Sequence, residues 1–350
     1  MGLDAAATEA VLRGARIDPK VLQADRSQGV FQKDFITFSR ALISQNRIDN
    51  GRRNAARFDS TFDTIEARFG IPRGVLLAFW AFETDFGQVQ GNFNTRNALV
   101  TLAHDCRRPE LFRPQLLAAI TLAARGGLDP ARTTGAWAGE IGQVQMLPKD
   151  ILERGMDGDG DGRVDLKNSA PDALMSGANV LSSLGWAPNQ PWLQEVTVPA
   201  DLNWAQTGLT QRKPVREWAA LGVRPTSGAL ATTLDAAVLL PMGRNGPAFL
   251  AYPNFDVYFE WNKSFVYVTT AAYFATRLSG APVYAAGAPS APLTGPQMQA
   301  LQKKLVARGH DVGGIDGILG AKTRAAVQIE QRRLGLAADA WPTTALLMAL

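Results

Sequence analysis

The sequence has very little of the chemistry that cysteine and histidine provide. It contains one cysteine, Cys106, and two histidines, His104 and His310, in 350 residues. A single cysteine excludes an intramolecular disulfide and a cysteine-based metal cluster. The two histidines are too few and too far apart in the sequence to indicate a metal site. Stability must therefore come from packing, for which the hydrophobic content of 46% supplies enough residues.

Long apolar runs and strong charge are also missing. The longest purely apolar run, residues 75–82, is far shorter than the roughly 20 residues that a membrane-spanning helix needs. The first ten residues lack the apolar core of a signal peptide, which indicates either a cytoplasmic protein or one that has lost a targeting segment. The net charge is only +4, and basic residues occur singly or in pairs. We therefore expect neither a transmembrane segment nor nucleic acid as a partner.

A change of composition near the C-terminal end divides the sequence into two parts. Alanine, proline and glycine replace the apolar periodicity at residues 285–296, as is typical of a linker. We predict a large domain at residues 1–284, a linker at 285–293 and a small domain at 294–350.

Helical spacing of apolar residues dominates the large domain and recurs in the small one. In the large domain this spacing covers residues 33–47, 59–69, 73–86, 97–103, 109–125 and 171–184. Two apolar stretches, 236–240 and 248–252, flank a turn-rich segment and predict a small β hairpin. In the small domain, helical patterns on both sides of a glycine-rich turn and after Pro342 predict three helices. The predicted fold class is therefore mainly α.

One of these helical segments places Glu83 in an almost continuous apolar surface. Residues 74–87 leave almost no polar face, which is typical of a buried helix. Glu83 lies at the C-terminal end of this helix, where desolvation and the negative helix terminus both favour its protonated form. A carboxyl with a raised pKa is suited to donate a proton to a glycosidic oxygen. The structural alternative is a glutamate that caps the helix end or pairs with an arginine.

A glycosidase of the ordinary kind needs a second carboxylate across the scissile bond. The local candidate is Asp85. Two residues apart on a helix, Glu83 and Asp85 point in different directions. The pair therefore fits that arrangement poorly, unless the helix ends between them.

An acidic segment that begins at Asp157 fits the first eight positions of an EF-hand calcium loop. Asp157, Asp159 and Asp161 occupy its first, third and fifth positions, and Gly162 occupies the sixth. These residue types at this spacing indicate a calcium site. The alternative is an acidic turn without metal, in which the unpaired carboxylates would repel one another.

The second half of the loop departs from the usual pattern. Arg163 at the seventh position would bind calcium through its backbone carbonyl, but Asn168 replaces the usual glutamate at the twelfth. We expect Asp172 to take its place and to close a longer loop.

Taken together, these segments resemble the lytic murein transglycosylase B family of bacterial cell-wall enzymes. The resemblance covers nearly the whole chain and rests on ordered motifs: DPKVLQADRSQGVF (18–31), FETDFG (82–87), NALVTLAHDCRRPELF (97–112), GAWAGEIGQVQMLP (135–148), the acidic loop, GWAPNQPW (185–192) and YPNFDVYFEWNKSFVY (252–267). The segment 301–336 is similar to a peptidoglycan-binding domain of the small three-helix type.

This resemblance implies a lysozyme-like, mainly α catalytic domain with an EF-hand-like loop, followed by a peptidoglycan-binding domain. The implied reaction cleaves the β-1,4 bond between N-acetylmuramic acid and N-acetylglucosamine. In that reaction the C6 hydroxyl of the substrate replaces water, so the product is a 1,6-anhydro-muramyl sugar. Such a reaction needs a single carboxyl, which by the family pattern is Glu83, acting first as acid and then as base.

The family pattern also implies the residues that bind the substrate: Gln145, Trp261, Asn262 and Tyr267. Two departures from the pattern are Ala136, where members often have a serine, and Glu330, at a position that is usually aromatic.

The resemblance further implies a structural calcium ion, glycan strands of peptidoglycan as the partner and other cell-wall enzymes as further partners. We expect a monomer in the periplasm or cell envelope of a Gram-negative bacterium. Three alternatives stay open: a hydrolytic muramidase that uses the same acid, a non-catalytic peptidoglycan-binding scaffold, and a calcium-responsive regulator.

Overall fold

The computed structural model describes residues 3–27 and 33–350. These residues form two compact units, the first of residues 3–27 and 46–184 and the second of residues 33–45 and 185–350. The motif at 18–31 lies partly outside the described residues.

The described residues are mainly helical, as the sequence predicts. The helices in chain order are α1 (Ala5–Leu12), α2 (Pro19–Arg26), α3 (Phe35–Leu42), α4 (Gln45–Arg57), α5 (Asp59–Phe69), α6 (Arg73–Thr84), α7 (Thr95–His104), α8 (Pro109–Ala124), α9 (Pro148–Arg154), α10 (Ala170–Ser183), α11 (Val215–Ala220), α12 (Asn254–Trp261), α13 (Phe265–Leu278), α14 (Gly295–Ala307), α15 (Ala321–Arg333) and α16 (Thr344–Ala349). The strands are β1 (Phe93–Asn94), β2 (Thr134–Gly135), β3 (Leu193–Thr197), β4 (Arg212–Pro214), β5 (Arg224–Pro225), β6 (Asp235–Leu239) and β7 (Ala248–Ala251).

One predicted helix, 33–47, is interrupted in the structure. The helix α3 ends at Leu42, because the backbone of the next residue, Ile43 (φ −92°, ψ 70°), leaves the helical region, and α4 begins at Gln45. The apolar periodicity runs through both helices and therefore does not reveal the break.

The core of the first unit is built around α6. Every residue from Gly74 to Ala81 is buried, and α6 packs against α5 and α10. The helix is apolar on all sides because it has neighbours on all sides. Its C-terminal turn, which carries Glu83, is therefore held by the core of the unit.

The second unit contains a five-stranded antiparallel sheet in the order β4-β6-β7-β3-β5. The predicted hairpin is confirmed as β6 and β7, with Val238 opposite Leu250. The other three strands of this sheet have two to five residues each and were not predicted from the sequence. The helix α3 packs on this unit through Phe35, whose ring contacts those of Phe249 and Tyr284.

The C-terminal module consists of the three helices predicted for it, α14, α15 and α16. A capping box of Thr294 and Gln297 begins α14, which is a strong helix start. The module core is formed by one cluster of apolar residues: Leu293, Met298, Leu301, Leu305, Val312, Ala326, Val327 and Leu346. The boundaries 1–284, 285–293 and 294–350 stay predictions.

The departure at Glu330 has a structural explanation. Glu330 is buried, and its carboxylate accepts hydrogen bonds from Arg333 Nε and lies 2.8 Å from His310 Nε2. Ile329 does not fill the core in its place, because half of its surface is exposed. A buried carboxylate paired with Arg333 therefore lies where the family resemblance implies an aromatic residue.

Candidate active site and calcium loop

Glu83 lies in the last turn of α6 and is partly buried. The helix ends directly after it, because Asp85 and Phe86 have the left-handed φ values of 51° and 60°. This end of the helix is held by Thr84, whose hydroxyl accepts a hydrogen bond from the Gly87 amide at 2.9 Å. A carboxyl at the end of a buried helix is thus presented on a rigid support.

Asp85, directly after the end of α6, forms an ion pair. Its Oδ1 accepts a hydrogen bond from Arg47 Nε at 3.0 Å, which forms an ion pair. The carboxylate of Asp85 is therefore engaged by a guanidinium, in keeping with the poor fit of Asp85 as the opposing acid.

The glycine-rich loop 139–146 packs against the C-terminal turn of α6. The Thr84 hydroxyl donates to the Gln143 carbonyl at 2.5 Å, and Trp80 Nε1 donates to Gln143 Oε1 at 3.0 Å. A pair of backbone hydrogen bonds between Ile141 and Met146 closes the loop. No role was predicted for Gln143, although its position directly after Gly142 in a glycine-rich turn is visible in the sequence.

Two features of the structure require a glycine at position 87. Its φ of 84° lies in the left-handed region, which strains other residues. A Cβ at this position would also lie 2.6 Å from Gln143 Oε1. The close contact between the loop and the end of α6 therefore depends on the absence of a side chain.

The same loop carries a second carboxyl, Glu140, which the sequence analysis did not single out. Burial raises the pKa of Glu140, and the charge of Glu83 raises it further. Nearby backbone N–H groups and the charge of Arg108 act in the opposite direction. In the sequence, Glu140 could have been recognised as a single acidic residue between Gly139 and Ile141.

Gln145, expected to bind the substrate, lies on this loop in the first unit. Its backbone has a φ of 53°, and its side-chain Nε2 donates to the Gly142 carbonyl at 2.8 Å. A second acceptor of this amide is the Gln90 carbonyl at 3.3 Å. These hydrogen bonds fix the side chain on the same unit as Glu83.

The other residues expected to bind the substrate belong to the second unit, where α12 ends and α13 begins. Asn262 ends α12, and its Oδ1 accepts a hydrogen bond from the Ser264 amide at 2.9 Å. Trp261 is partly buried, whereas Tyr267, in the first turn of α13, is buried. The structure thus places these three residues on one short segment, and their role stays a prediction.

The acidic loop brings together three of the five residues expected to bind calcium. Carboxylate oxygens of Asp157, Asp159 and Asp172 lie within 4.8 Å of one another. Oxygen donors in such a group suit a hard cation such as Ca²⁺. Asp161 is not part of this group, and its Oδ1 accepts a hydrogen bond from the Arg163 amide at 2.9 Å.

Asp172 connects two parts of the loop, and its role as a calcium ligand stays a prediction. It is buried at the start of α10, and its two oxygens accept hydrogen bonds from the amides of Gly158 and Asp165 at 2.8 and 2.7 Å. Asp157 accepts a hydrogen bond from the Gly162 amide, which lowers the pKa of Asp157. The loop is therefore organised around carboxylates that accept hydrogen bonds from its backbone.

Comparisons with known families match both parts of the chain. The family described as "Transglycosylase SLT domain" matches residues 1–276, and the family described as "Putative peptidoglycan binding domain" matches residues 294–350. The chain is also similar to membrane-bound lytic murein transglycosylase B of Escherichia coli, with 25% identity over 234 residues. That similarity covers 66% of this chain and spans 63% of the length of the relative.

Solved structures agree with this assignment. SltB3 of Pseudomonas aeruginosa, solved in complex with NAG-anhNAM-pentapeptide, is 36% identical, with a TM-score of 0.90, over 99% of this chain and 94% of that chain. The Escherichia coli lytic transglycosylase Slt35, solved in complex with calcium, is 23% identical, with a TM-score of 0.68, over 79% of this chain and 88% of that chain. At that identity, the second likeness concerns the fold alone.

These matches confirm the resemblance on which the sequence analysis relied and the lysozyme-like, mainly α fold class. The chain therefore belongs to the SLT family of lytic transglycosylases and carries a C-terminal peptidoglycan-binding domain.

Proposed function

We propose that this chain cleaves the β-1,4 bond between N-acetylmuramic acid and N-acetylglucosamine in peptidoglycan, with Glu83 as the single acid and base. The observation that carries this proposal is the partly buried carboxyl of Glu83 at the end of the buried helix α6. Its position lies within the part of the chain that matches the transglycosylase family.

The reaction proceeds in two proton transfers. The Glu83 carboxyl first donates its proton to the glycosidic oxygen as the bond from that oxygen to C1 breaks. The resulting carboxylate then takes the proton of the C6 hydroxyl of the same muramyl residue, whose oxygen forms a bond to C1. Glu83 is thereby protonated again, the product is a 1,6-anhydro sugar, and no water is consumed.

The substrate class is supported by the relative from Pseudomonas aeruginosa, which is 36% identical and was solved with NAG-anhNAM-pentapeptide and with NAG-NAM-pentapeptide. On this chain, Gln145, Trp261, Asn262 and Tyr267 would bind the sugar strand. The aromatic side chains would stack on sugar faces, and the amide side chains would hydrogen-bond to sugar substituents. The peptidoglycan-binding domain would hold the enzyme on the same polymer.

A structural calcium ion belongs to this proposal. Asp157, Asp159 and Asp172 supply the oxygen donors that calcium prefers, with Asp161 and the carbonyl of Arg163 as further ligands. The ion would neutralise the clustered carboxylates and stabilise the loop, without taking part in the reaction.

The substrate also determines the proposed location, which is the cell envelope and specifically the periplasm. None of the helices in residues 3–27 and 33–350 has the length and apolar character to cross a membrane. We propose that the protein acts as a monomer, alongside other cell-wall enzymes.

Replacement of the acid tests the proposal. We expect Glu83→Gln to reduce the clearing of purified peptidoglycan by a factor of about 10² or more, because an amide does not donate the required proton. Glu110→Gln, an exposed carboxyl on α8, is the matched control and should keep wild-type activity. Mass spectrometry of the wild-type digest should show anhydro-muramyl ends.

Other outcomes of this experiment support the alternatives. Reducing muramic acid ends in place of anhydro ends would identify a hydrolytic muramidase. Equal clearing by the wild type and by Glu83→Gln would contradict the catalytic role of Glu83. Peptidoglycan binding without any cleavage by the wild type would indicate a scaffold.

A further inference from the structure

Gln90 lies in the segment that follows α6 and connects this segment to another part of the first unit. Its side-chain Nε2 donates to the Gly87 carbonyl at 3.0 Å and to the Lys167 carbonyl at 2.9 Å. Gly87 follows the end of α6, and Lys167 lies in the second half of the acidic loop. The amide of Gln90 therefore joins the end of the helix that carries Glu83 to the acidic loop.

The orientation of this amide is determined by its surroundings. Both acceptors are carbonyls, so a reversed amide would place its oxygen against two other oxygens. In the observed orientation, Gln90 Oε1 is inaccessible to solvent and has no hydrogen-bond partner within residues 3–27 and 33–350. A buried acceptor without a donor is unfavourable. What the glutamine contributes at this position is therefore the pair of hydrogen bonds from Nε2.

The backbone beside Gln90 is held by a close contact. The next residue, Gly91, has a φ of 84°, and a Cβ there would lie 2.2 Å from the Gly135 carbonyl oxygen. The chain thus passes against β2 with no room for a side chain. Together with the two bonds from the Gln90 side chain, this contact fixes the position of the Gln90 carbonyl.

That carbonyl binds Gln145, the glutamine expected to bind the substrate. Gln145 Nε2 donates to the Gln90 carbonyl at 3.3 Å and to the Gly142 carbonyl at 2.8 Å. An amide nitrogen has two hydrogens, so protein carbonyls engage both of them. No donor in the described part of the chain hydrogen-bonds to Gln145 Oε1. Gln145 in this orientation therefore offers a substrate an acceptor and no donor.

We propose that Gln90 is a positioning residue that orients Gln145 so that Gln145 Oε1 accepts a hydrogen bond from the sugar strand. This inference rests on the proposed function, in which Gln145 binds the substrate. An acceptor at this place selects hydrogen-bond donors, which in the sugars of peptidoglycan are the hydroxyl and acetamido N–H groups. Gln90 acts through Gln145 and does not need to touch the substrate.

Binding of NAG-NAM-pentapeptide, the ligand of one SltB3 structure, to the full chain tests this inference. Every protein compared carries Glu83→Gln, so that the ligand is not cleaved, and calorimetry gives Kd and the number of sites. We expect Gln90→Met, which is similar in size but has no donor, to raise Kd about fivefold, as for the loss of one hydrogen bond. A variant that is only less stable would lose sites, while its folded fraction would keep the original Kd.

A double-mutant cycle shows whether Gln90 acts through Gln145. If it does, Gln90→Met should change Kd little in protein that already carries Gln145→Ala, so the two effects are not additive. Gln88→Met, the same substitution at an exposed position of the same segment, is the matched control and should leave Kd unchanged. Additive effects, or an unchanged Kd in Gln90→Met, would overturn the inference.

A second measurement uses the wild-type chain and does not depend on the folding of Gln90→Met. Amide hydrogens that are hydrogen-bonded exchange with solvent more slowly than exposed ones. In NMR spectra we expect the Nε2 hydrogens of Gln145 to exchange more slowly than those of the exposed Gln88. Equal exchange rates would contradict the two hydrogen bonds that orient Gln145.

The two proposals fail in different ways. If Gln145→Ala leaves Kd unchanged, the role proposed for Gln145 in substrate binding is wrong. If Gln145→Ala raises Kd and Gln90→Met does not, only the inference about Gln90 is wrong.

Discussion

At the scale of single residues, Gln143 connects the helix α6 to the loop 139–146. Its side-chain oxygen accepts the hydrogen bond from Trp80, its Nε2 donates to the Lys167 carbonyl at 3.3 Å, and its carbonyl accepts from Thr84. All these groups are in the first unit, and Trp80 and Thr84 are buried. Both the side chain and the backbone of Gln143 therefore connect the end of α6 to the loop 139–146.

We expect Gln143→Leu to lower the free energy of unfolding by about 1–3 kcal/mol, because it leaves the buried Trp80 N–H without its acceptor. Urea unfolding measures this change. Gln88→Leu, at an exposed position after α6, is the control and should change the stability by less than about 0.5 kcal/mol. Equal stabilities of the two variants would contradict the role of Gln143.

Glu330 stabilises the C-terminal module in its ionised form. Burial alone would raise the pKa of Glu330, but the hydrogen bonds of His310 and Arg333 outweigh it and lower this pKa. A carboxyl with a lower pKa in the folded state adds stability above its unfolded pKa of about 4.3. That stability is lost as the pH falls through the folded pKa.

We therefore expect the wild type to lose stability to urea more steeply than Glu330→Gln as the pH falls below about 4.3. At neutral pH, Glu330→Gln should be the less stable of the two proteins, because its amide does not replace the paired charge. Glu217→Gln, an exposed position on α11, should follow the wild type throughout. Parallel curves for Glu330→Gln and the wild type would show that the ion pair contributes nothing.

At the scale of elements, the acidic loop is held by hydrogen bonds from its own backbone. Asp157 and Asp172 accept hydrogen bonds from loop amides, and Asp159 accepts one from the Ser169 hydroxyl at 2.6 Å. These contacts bring three negative charges together at the start of α10. A bound cation would offset their mutual repulsion, so binding should stabilise the folded state.

We expect calcium to raise the melting temperature of the wild type and to raise that of Asp159→Asn by much less. Asp159 is exposed, so its replacement removes a ligand with little effect on the core. The quantity to compare is the difference in melting temperature with and without calcium, because it is independent of the baseline stability of each variant. Asp201→Asn, an exposed position in the second unit, should keep the full calcium effect.

If calcium does not stabilise the wild type, the loop is an acidic turn without metal. A large change in circular dichroism on chelation at constant temperature would favour the calcium-responsive regulator over a structural site.

At the scale of the whole molecule, the C-terminal module is docked on the rest of the second unit. Gln328, on α15, donates hydrogen bonds to the carbonyls of Trp204 and Thr207 at 3.1 and 2.9 Å. Arg324 donates to the carbonyl of Pro241 at 2.6 Å, and its guanidinium lies 4.3 Å from the ring centroid of Phe265. The module is therefore attached through side chains as well as through the connecting segment.

We expect Gln328→Ala to loosen this attachment, because it leaves carbonyls that were hydrogen-bonded without their donor, at a cost of about 1–3 kcal/mol. Limited proteolysis should then cut the segment 285–293 faster than in the wild type. Gln299→Ala, an exposed glutamine on α14, is the matched control. Equal rates of cleavage in all three proteins would mean that Gln328 does not hold the module.

The sequence was most informative where one short pattern specifies one local structure. The buried helix around Glu83, the β hairpin and the three helices of the module were predicted from spacing and composition alone. The sequence did not predict three strands of two to five residues or the break between α3 and α4. Such features depend on contacts made elsewhere in the chain. The family and the identity of Glu83 as its candidate acid came from ordered motifs rather than from periodicity.

The sequence by itself determined the chemistry available to this protein: one carboxyl in an apolar helix, an acidic loop suited to calcium, and a separate three-helix module. Only the tertiary structure decided which groups share an environment. It paired Asp85 with Arg47, placed Gln143 beside Trp80 and surrounded the buried Glu330 with Arg333 and His310. The physical reason is that burial and charge interactions depend on distances in space, which the order of residues along the chain does not give.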